Sequence, residues 1–239
     1  MLEKVNPILC LPGLFAGGWI WEPVAVELRS RGFRVESMQN PLIACLNYDM
    51  TVEGFRLMVD DTLQNLAVKK AILLGNSLGG LVALDYATCR PDRVDRVVAG
   101  GVPGLSERPI LKIEQPTTRL NKAQVRKLGE AIFYEKTRLT DTMVDDTYAI
   151  LAERRYLLNM VRALKAIRNY SVQNILSSIV CPTLLLWGEH DQITPIAPWK
   201  EESSLLKDGR LESINATGHS PMIELPKAFL ERALPFLGA

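Results

Sequence analysis

Two periods of polarity alternate along most of the chain. Ile8-Leu9-Cys10-Leu11, Ala71-Ile72-Leu73-Leu74 and Pro182 to Gly188 are short apolar runs bounded by Gly, Pro or charged residues, as strands buried on both faces read. Phe33 to Ser37 alternates apolar with polar, and Val94 to Ala99 and Leu211 to Ile214 supply two more strands. Between these runs the spacing is helical. Trp21, Val24, Ala25 and Leu28 share a face of a helix ending near Gly32, and Val52, Phe55, Val59 and Leu63 share one over Thr51 to Leu66. Further helices follow residue 77 as far as Arg90-Pro91, lie around Trp199 to Leu206, and close the chain from about Pro226. Such alternation builds an α/β fold, a mostly parallel central sheet flanked by helices.

From about Pro103 to Tyr170 the strand pattern stops. Segments near Lys122 to Tyr134, Thr142 to Glu153 and Tyr156 to Ile167 carry helical spacing instead. This predicts a helical cap over residues 103–170, inserted into a core domain made of residues 1–102 and 171–239.

The run at Ala71 leads straight into Gly75-Asn76-Ser77-Leu78-Gly79-Gly80. A Gly-x-Ser-x-Gly between a strand and a helix marks Ser77 as a candidate nucleophile, because the sharp turn strains the serine backbone and leaves no room for side chains at Gly75 and Gly79. The following helix aims its N-terminus at the site, so the Leu78 N–H can face a developing negative charge. A serine hydroxyl needs a base, and the chain has two histidines. His219 lies in the small-residue loop Ala216-Thr217-Gly218-His219-Ser220-Pro221 just past the last strand and is the candidate base; His190 stands beside an acid at the end of a strand. Asp191 follows that strand in Leu186-Trp187-Gly188-Glu189-His190-Asp191 and is the candidate acid, with Glu189 the competing carboxylate.

Composition narrows the class. With 239 residues, 47% of them apolar, the chain is long enough for one large core domain. A formal net charge of +1 gives no reason to expect nucleic acid or an anionic membrane as partner. Cys10, Cys45, Cys89 and Cys181 have no metal-ligand spacing, so free thiols, no metal and no cofactor are expected. The first residues lack the pattern of a signal peptide and no run reaches bilayer length, so the expected location is cytoplasmic.

Taken together, Leu11-Pro12-Gly13-Leu14, Gly75 to Gly80, Gly188 to Asp191 and Gly218-His219, in this order, resemble the α/β-hydrolase superfamily over nearly the whole chain outside the cap. The resemblance implies a serine hydrolase with the order nucleophile, acid, base, and an oxyanion hole completed by the N–H of Leu14 beside that of Leu78. Members often carry His-Gly where this chain has Pro12-Gly13. The Gly-Asn-Ser elbow is similar to that of carbon–carbon bond hydrolases that open ring-fission products, whereas Ser220-Pro221 after the base looks like the esterase and lactonase branches. The implied activity is hydrolysis of a carboxylic ester, lactone or thioester of a small apolar acid. The alternatives are a carbon–carbon hydrolase of a vinylogous diketone and a catalytically silent ligand-binding protein. Epoxide hydrolases and dehalogenases of this fold carry aspartate at the elbow, unlike Ser77.

Residues 105–170 hold 13 Lys or Arg against 8 Asp or Glu, while the rest of the chain holds 15 against 19. Positive charge over a pocket mouth attracts an anionic substrate, although solvated outer faces of amphipathic helices explain the same excess. Expected substrate contacts are Phe15 and Asn76 near the elbow and Phe133, Met143, Leu157 and Met160 on the inner cap faces. Arg154 or Arg155 is the expected anchor for an anionic group.

Overall fold

The computed structural model describes residues 5–45, 47–105 and 120–238. Its strands are β1 (Ile8–Leu11), β2 (Val35–Ser37), β3 (Ala71–Asn76), β4 (Val94–Gly100), β5 (Thr183–Gly188) and β6 (Gly209–Ile214). They form one six-stranded sheet in the order β2-β1-β3-β4-β5-β6, with every neighbouring pair parallel. In the core, α1 (Glu22–Ser30) follows β1, α2 (Val52–Asn65) follows β2, and α3 (Leu78–Cys89) follows β3. Between β4 and β5 come α4 (Lys122–Ile132), α5 (Asp141–Leu151), α6 (Arg154–Arg168) and the short α7 (Gln173–Leu176). The chain then adds α8 (Ile196–Glu202), α9 (Pro221–Glu224) and α10 (Pro226–Leu237).

The period of two along each strand sorts the core onto two faces. Leu9, Leu11, Leu73, Val97, Ala99, Leu185 and Trp187 point to one side, where α2, α3 and the helices between β4 and β5 pack. Ile8, Cys10, Ile72, Leu74, Val98, Leu184 and Leu186 point to the other, under α1 and α10. Burial of each such Leu, Ile or Val contributes roughly 1.5–3 kcal/mol. Residues Leu78 to Ala87 of α3 are all buried, because sheet and helices cover this helix on every side; a sequence with no polar face is the one that fits there.

Local signals explain the boundaries. The Thr51 hydroxyl accepts the Gly54 N–H at 3.0 Å and caps α2. Asn121 and Gln124 form a reciprocal capping box that starts α4. The expected helix around Trp199 begins earlier, at Ile196, since Pro195 precedes it in extended conformation and cannot itself donate. The α7 turn and α9 are too short for their periodicity to be read from sequence. Among the described residues no helix is long and apolar enough to cross a membrane. The four cysteines are free.

Candidate active site

Ser77 occupies the sharp junction of β3 and α3 with φ 57° and ψ −124°. A non-glycine residue there costs on the order of 1–3 kcal/mol, and the surroundings hold it in place. Its N–H donates to the Gly100 carbonyl at 2.8 Å. A Cβ on Gly75 would sit 2.4 Å from the Gly79 carbonyl oxygen, and one on Gly79 would sit 2.3 Å from that of Leu11. The elbow therefore closes only with glycine at both positions.

His219 is buried and held from four directions. Its Nδ1 lies 2.8 Å from Asp191 Oδ2 and 3.3 Å from Thr194 Oγ1. Its backbone N–H donates to the Ile132 carbonyl at 2.7 Å, and its carbonyl accepts the Asn76 side-chain amide at 2.9 Å. With Nδ1–H donated to the carboxylate, Nε2 keeps its lone pair, the tautomer a general base requires.

Asp191 is fixed in turn. Its Oδ1 accepts the N–H groups of Ile193 at 2.8 Å and Thr194 at 3.0 Å, and its Oδ2 accepts the Thr194 hydroxyl at 2.8 Å. Burial opposes its charge, but the His219 charge and hydrogen bond, joined by the Thr194 contacts, outweigh burial and hold the carboxyl below its ordinary range. The turn is anchored by Trp187 in β5, whose indole N–H donates to the Thr194 carbonyl at 2.8 Å while its ring packs on Trp199 at 4.9 Å. The competing residues lie elsewhere. Glu189 and His190 are exposed, and the His190 ring stacks on Tyr134 and meets Asn215 at 3.2 Å.

Ser77, half-buried, and His219 open into the same cavity of about 320 Å³, and Leu14, Phe15, Asn76 and Leu78 also line it. Asn76 spends its amide on His219 and, at 3.5 Å, on Gly100. From the helices between β4 and β5 come Leu128 and Ile132 of α4 and Met160, Leu164, Ile167 and Arg168 of α6. Phe133 and Met143 line a second, smaller cavity of about 60 Å³ that shares Phe15, Leu128 and Ile132 with the first. Leu157 is buried in the core cluster. Arg154 and Arg155 are exposed, and Arg155 pairs with Glu153 at 2.8 Å and lies over the Tyr156 ring. The arginine on the cavity wall is Arg168, and no carboxylate among the described residues lies within ion-pair distance of it.

The sequence model of the Alpha/beta hydrolase family matches residues 8–232. The chain belongs to that family. A 2-hydroxy-6-oxononadienedioate/2-hydroxy-6-oxononatrienedioate hydrolase of Cupriavidus pinatubonensis is 28% identical over 193 residues, covering 74% of this chain and 65% of that relative. The chain thus spans just under two thirds of that relative's length. The uncharacterized hydrolase YugF of Bacillus subtilis is 26% identical over 249 residues, covering 96% of this chain and 89% of its own. Among solved structures, the 2-hydroxy-6-oxo-6-phenylhexa-2,4-dienoate hydrolase of a Rhodococcus species superposes with a TM-score of 0.82 at 20% identity, over 98% of this chain and 91% of that one. This last likeness is one of fold.

Thr194 touches Asp191 and His219, and Glu224 touches the loop before His219; the sequence pattern singled out neither. Asp191-x-x-Thr194 has the spacing at which an aspartate accepts backbone N–H groups two and three residues on, and that spacing could have drawn attention to Thr194. Glu224 holds the His219 loop, through the Gly218 N–H at 2.8 Å, and carries no local signal of this contact.

Proposed function

We propose that this member of the alpha/beta hydrolase family is a serine hydrolase that cleaves a carboxylic ester, lactone or thioester with an apolar acyl part through an acyl-enzyme on Ser77. The observation that carries the proposal is the short Asp191–His219 contact behind a cavity that Ser77 also lines. Ser77 Oγ attacks the carbonyl carbon while His219 Nε2 takes its proton, and Asp191 stabilises the imidazolium. The N–H of Leu78, in the first turn of α3 where helix N–H groups lack intrahelical partners, and that of Leu14 face the oxyanion. His219 then protonates the leaving alcohol or thiol, and water, deprotonated by the same histidine, releases the acid and restores Ser77.

The apolar acyl part fits the Leu128, Ile132, Met160, Leu164 and Ile167 wall. We assign an anionic group of the substrate to Arg168, the charged cap residue on that wall. Positions 160, 164, 167 and 168 follow helical spacing, so this face of α6 looks into the cavity.

One observation favours a second reading. The Cupriavidus relative is named for a 2-hydroxy-6-oxo dioate, a substrate with carboxylates for Arg168 to meet, and here the same serine and histidine would break a carbon–carbon bond. Rates on nitrophenyl esters, lactones, acyl thioesters and a ring-fission dienoate, for wild type and Ser77→Ala, separate the two. The first reading expects Ser77-dependent turnover of the acyl compounds above that of the dienoate; the reverse ranking establishes the second. Turnover that survives Ser77→Ala defeats both.

A further inference from the structure

Glu224 is a fully buried carboxylate that none of the steps above uses. It is 1% exposed, and no Lys or Arg among the described residues lies within ion-pair distance. Each of its oxygens is spent on a backbone N–H from a different part of the fold. Oε1 accepts from Gly218 at 2.8 Å, the residue before the base, and Oε2 accepts from Tyr134 at 2.7 Å, two residues past the end of α4 in the cap. Burial pushes the carboxyl up, and the N–H groups of Tyr134, Gly218 and Ser220, with a smaller pull from the Arg138 charge, bring it partly back, leaving it above its ordinary value. The placement of a buried carboxylate with no cation within ion-pair distance among the described residues needs a structural reason.

The junction it spans is tight. A Cβ on Gly218 would lie 2.4 Å from the Ile132 carbonyl oxygen and 2.9 Å from the Tyr134 nitrogen, so the cap segment 132–134 rests directly on the loop of the base. His219 N–H donates to that same Ile132 carbonyl. Ile132 also lines the cavity. The cap wall and the imidazole are therefore joined through three backbone hydrogen bonds, two of which end on one carboxylate.

We propose that Glu224 is a positioning residue that clamps the His219 loop to the cap, so that seating of the cap and alignment of the base are one event. The inference rests on the reading of His219 as the base. Glutamine at this position has the same shape but a single acceptor oxygen, so one of the two N–H groups is left unpaired and the junction opens on that side. A displacement of the order of 1 Å at a catalytic group can cost about 100-fold in rate.

The test compares wild type with Glu224→Gln by turnover, thermal melting and the downfield proton resonance of the His219–Asp191 pair. The expected result is a kcat about 10- to 100-fold lower together with a shifted or broadened resonance in a folded protein. A lowered melting temperature with kcat and resonance unchanged would show that the carboxylate only packs, and would overturn the proposal. The resonance does not depend on turnover, so it reports on the clamp even where Ser77→Ala shows the nucleophile assignment to be wrong. If Glu224→Gln does not fold, hydrogen exchange on wild type decides: the Gly218 and Tyr134 amides should exchange slowly and at matching rates, and fast exchange at Tyr134 would overturn the clamp.

Discussion

The Asn76 side chain donates to the His219 carbonyl at 2.9 Å across 143 residues of sequence, joining the residue before Ser77 to His219. The elbow and the His219 loop are thus hydrogen-bonded to each other, and the asparagine of Gly-Asn-Ser spends its amide on the protein's own carbonyls. Leucine has nearly the same shape and no donor. Asn76→Leu leaves the His219 carbonyl unpaired in a buried site, at roughly 1–3 kcal/mol. We expect a turnover loss of about tenfold or more and a lower melting temperature, checked by steady-state kinetics and calorimetry. Unchanged kcat would mean that the bond does not position the base.

Asp191 and Glu189 are two residues apart and have opposite surroundings, one enclosed by His219 and Thr194, the other exposed. Asp191→Asn cannot hold the imidazole in the productive tautomer and should lower kcat by about 10⁴. Glu189→Gln should stay within a few-fold of wild type. Kinetics of the two variants side by side check this, and a larger loss in Glu189→Gln exchanges the roles.

What was legible in the sequence, and what was not, follows from the range of the interactions. The Ser77 elbow could be read because strand, glycines and helix are contiguous. That His219 and Asp191 lie together could be anticipated because each sits in a loop that follows a strand of the parallel sheet, where side chains gather at the carboxyl edge, and the structure brings them to 2.8 Å. Arg168 could not, because which face of α6 looks into the cavity is set by how the helix docks, and periodicity alone left Arg154 and Arg155 equally eligible. Glu224 sits in a four-residue helix, and its partners, Gly218 and Tyr134, belong to the His219 loop and to the segment after α4. Such pairing is a tertiary fact with no local trace.

The placement of Arg168 makes a prediction about specificity. Arg168→Gln should reduce kcat/KM for an anionic substrate about tenfold relative to a matched neutral ester, while an Arg154→Ala/Arg155→Ala double variant leaves the ratio near that of wild type. Rising salt should lower the anionic preference of wild type and leave Arg168→Gln nearly flat, since exposed charges are screened over about 10 Å at 0.1 M. An equal salt response for both substrates would remove Arg168 from the site.

Glu224 also makes stability depend on pH in a stated direction. Its folded value lies above the ordinary 4.5, so the folded state holds the proton more firmly than the unfolded chain. The resulting stability is fully present below 4.5 and is lost as pH rises through the folded value. Wild type should therefore lose melting temperature relative to Glu224→Gln as pH is raised through this window. A difference that stays constant, or moves the other way, contradicts the raised value.

Covalent labelling reads the proposed role of Ser77 most directly. Intact-protein mass spectrometry after treatment with a fluorophosphonate should show a single adduct, mapped to the peptide carrying Ser77, with labelling strongly slowed in His219→Ala and absent in Ser77→Ala. An adduct on another residue, or no adduct while ester turnover persists in Ser77→Ala, would contradict it.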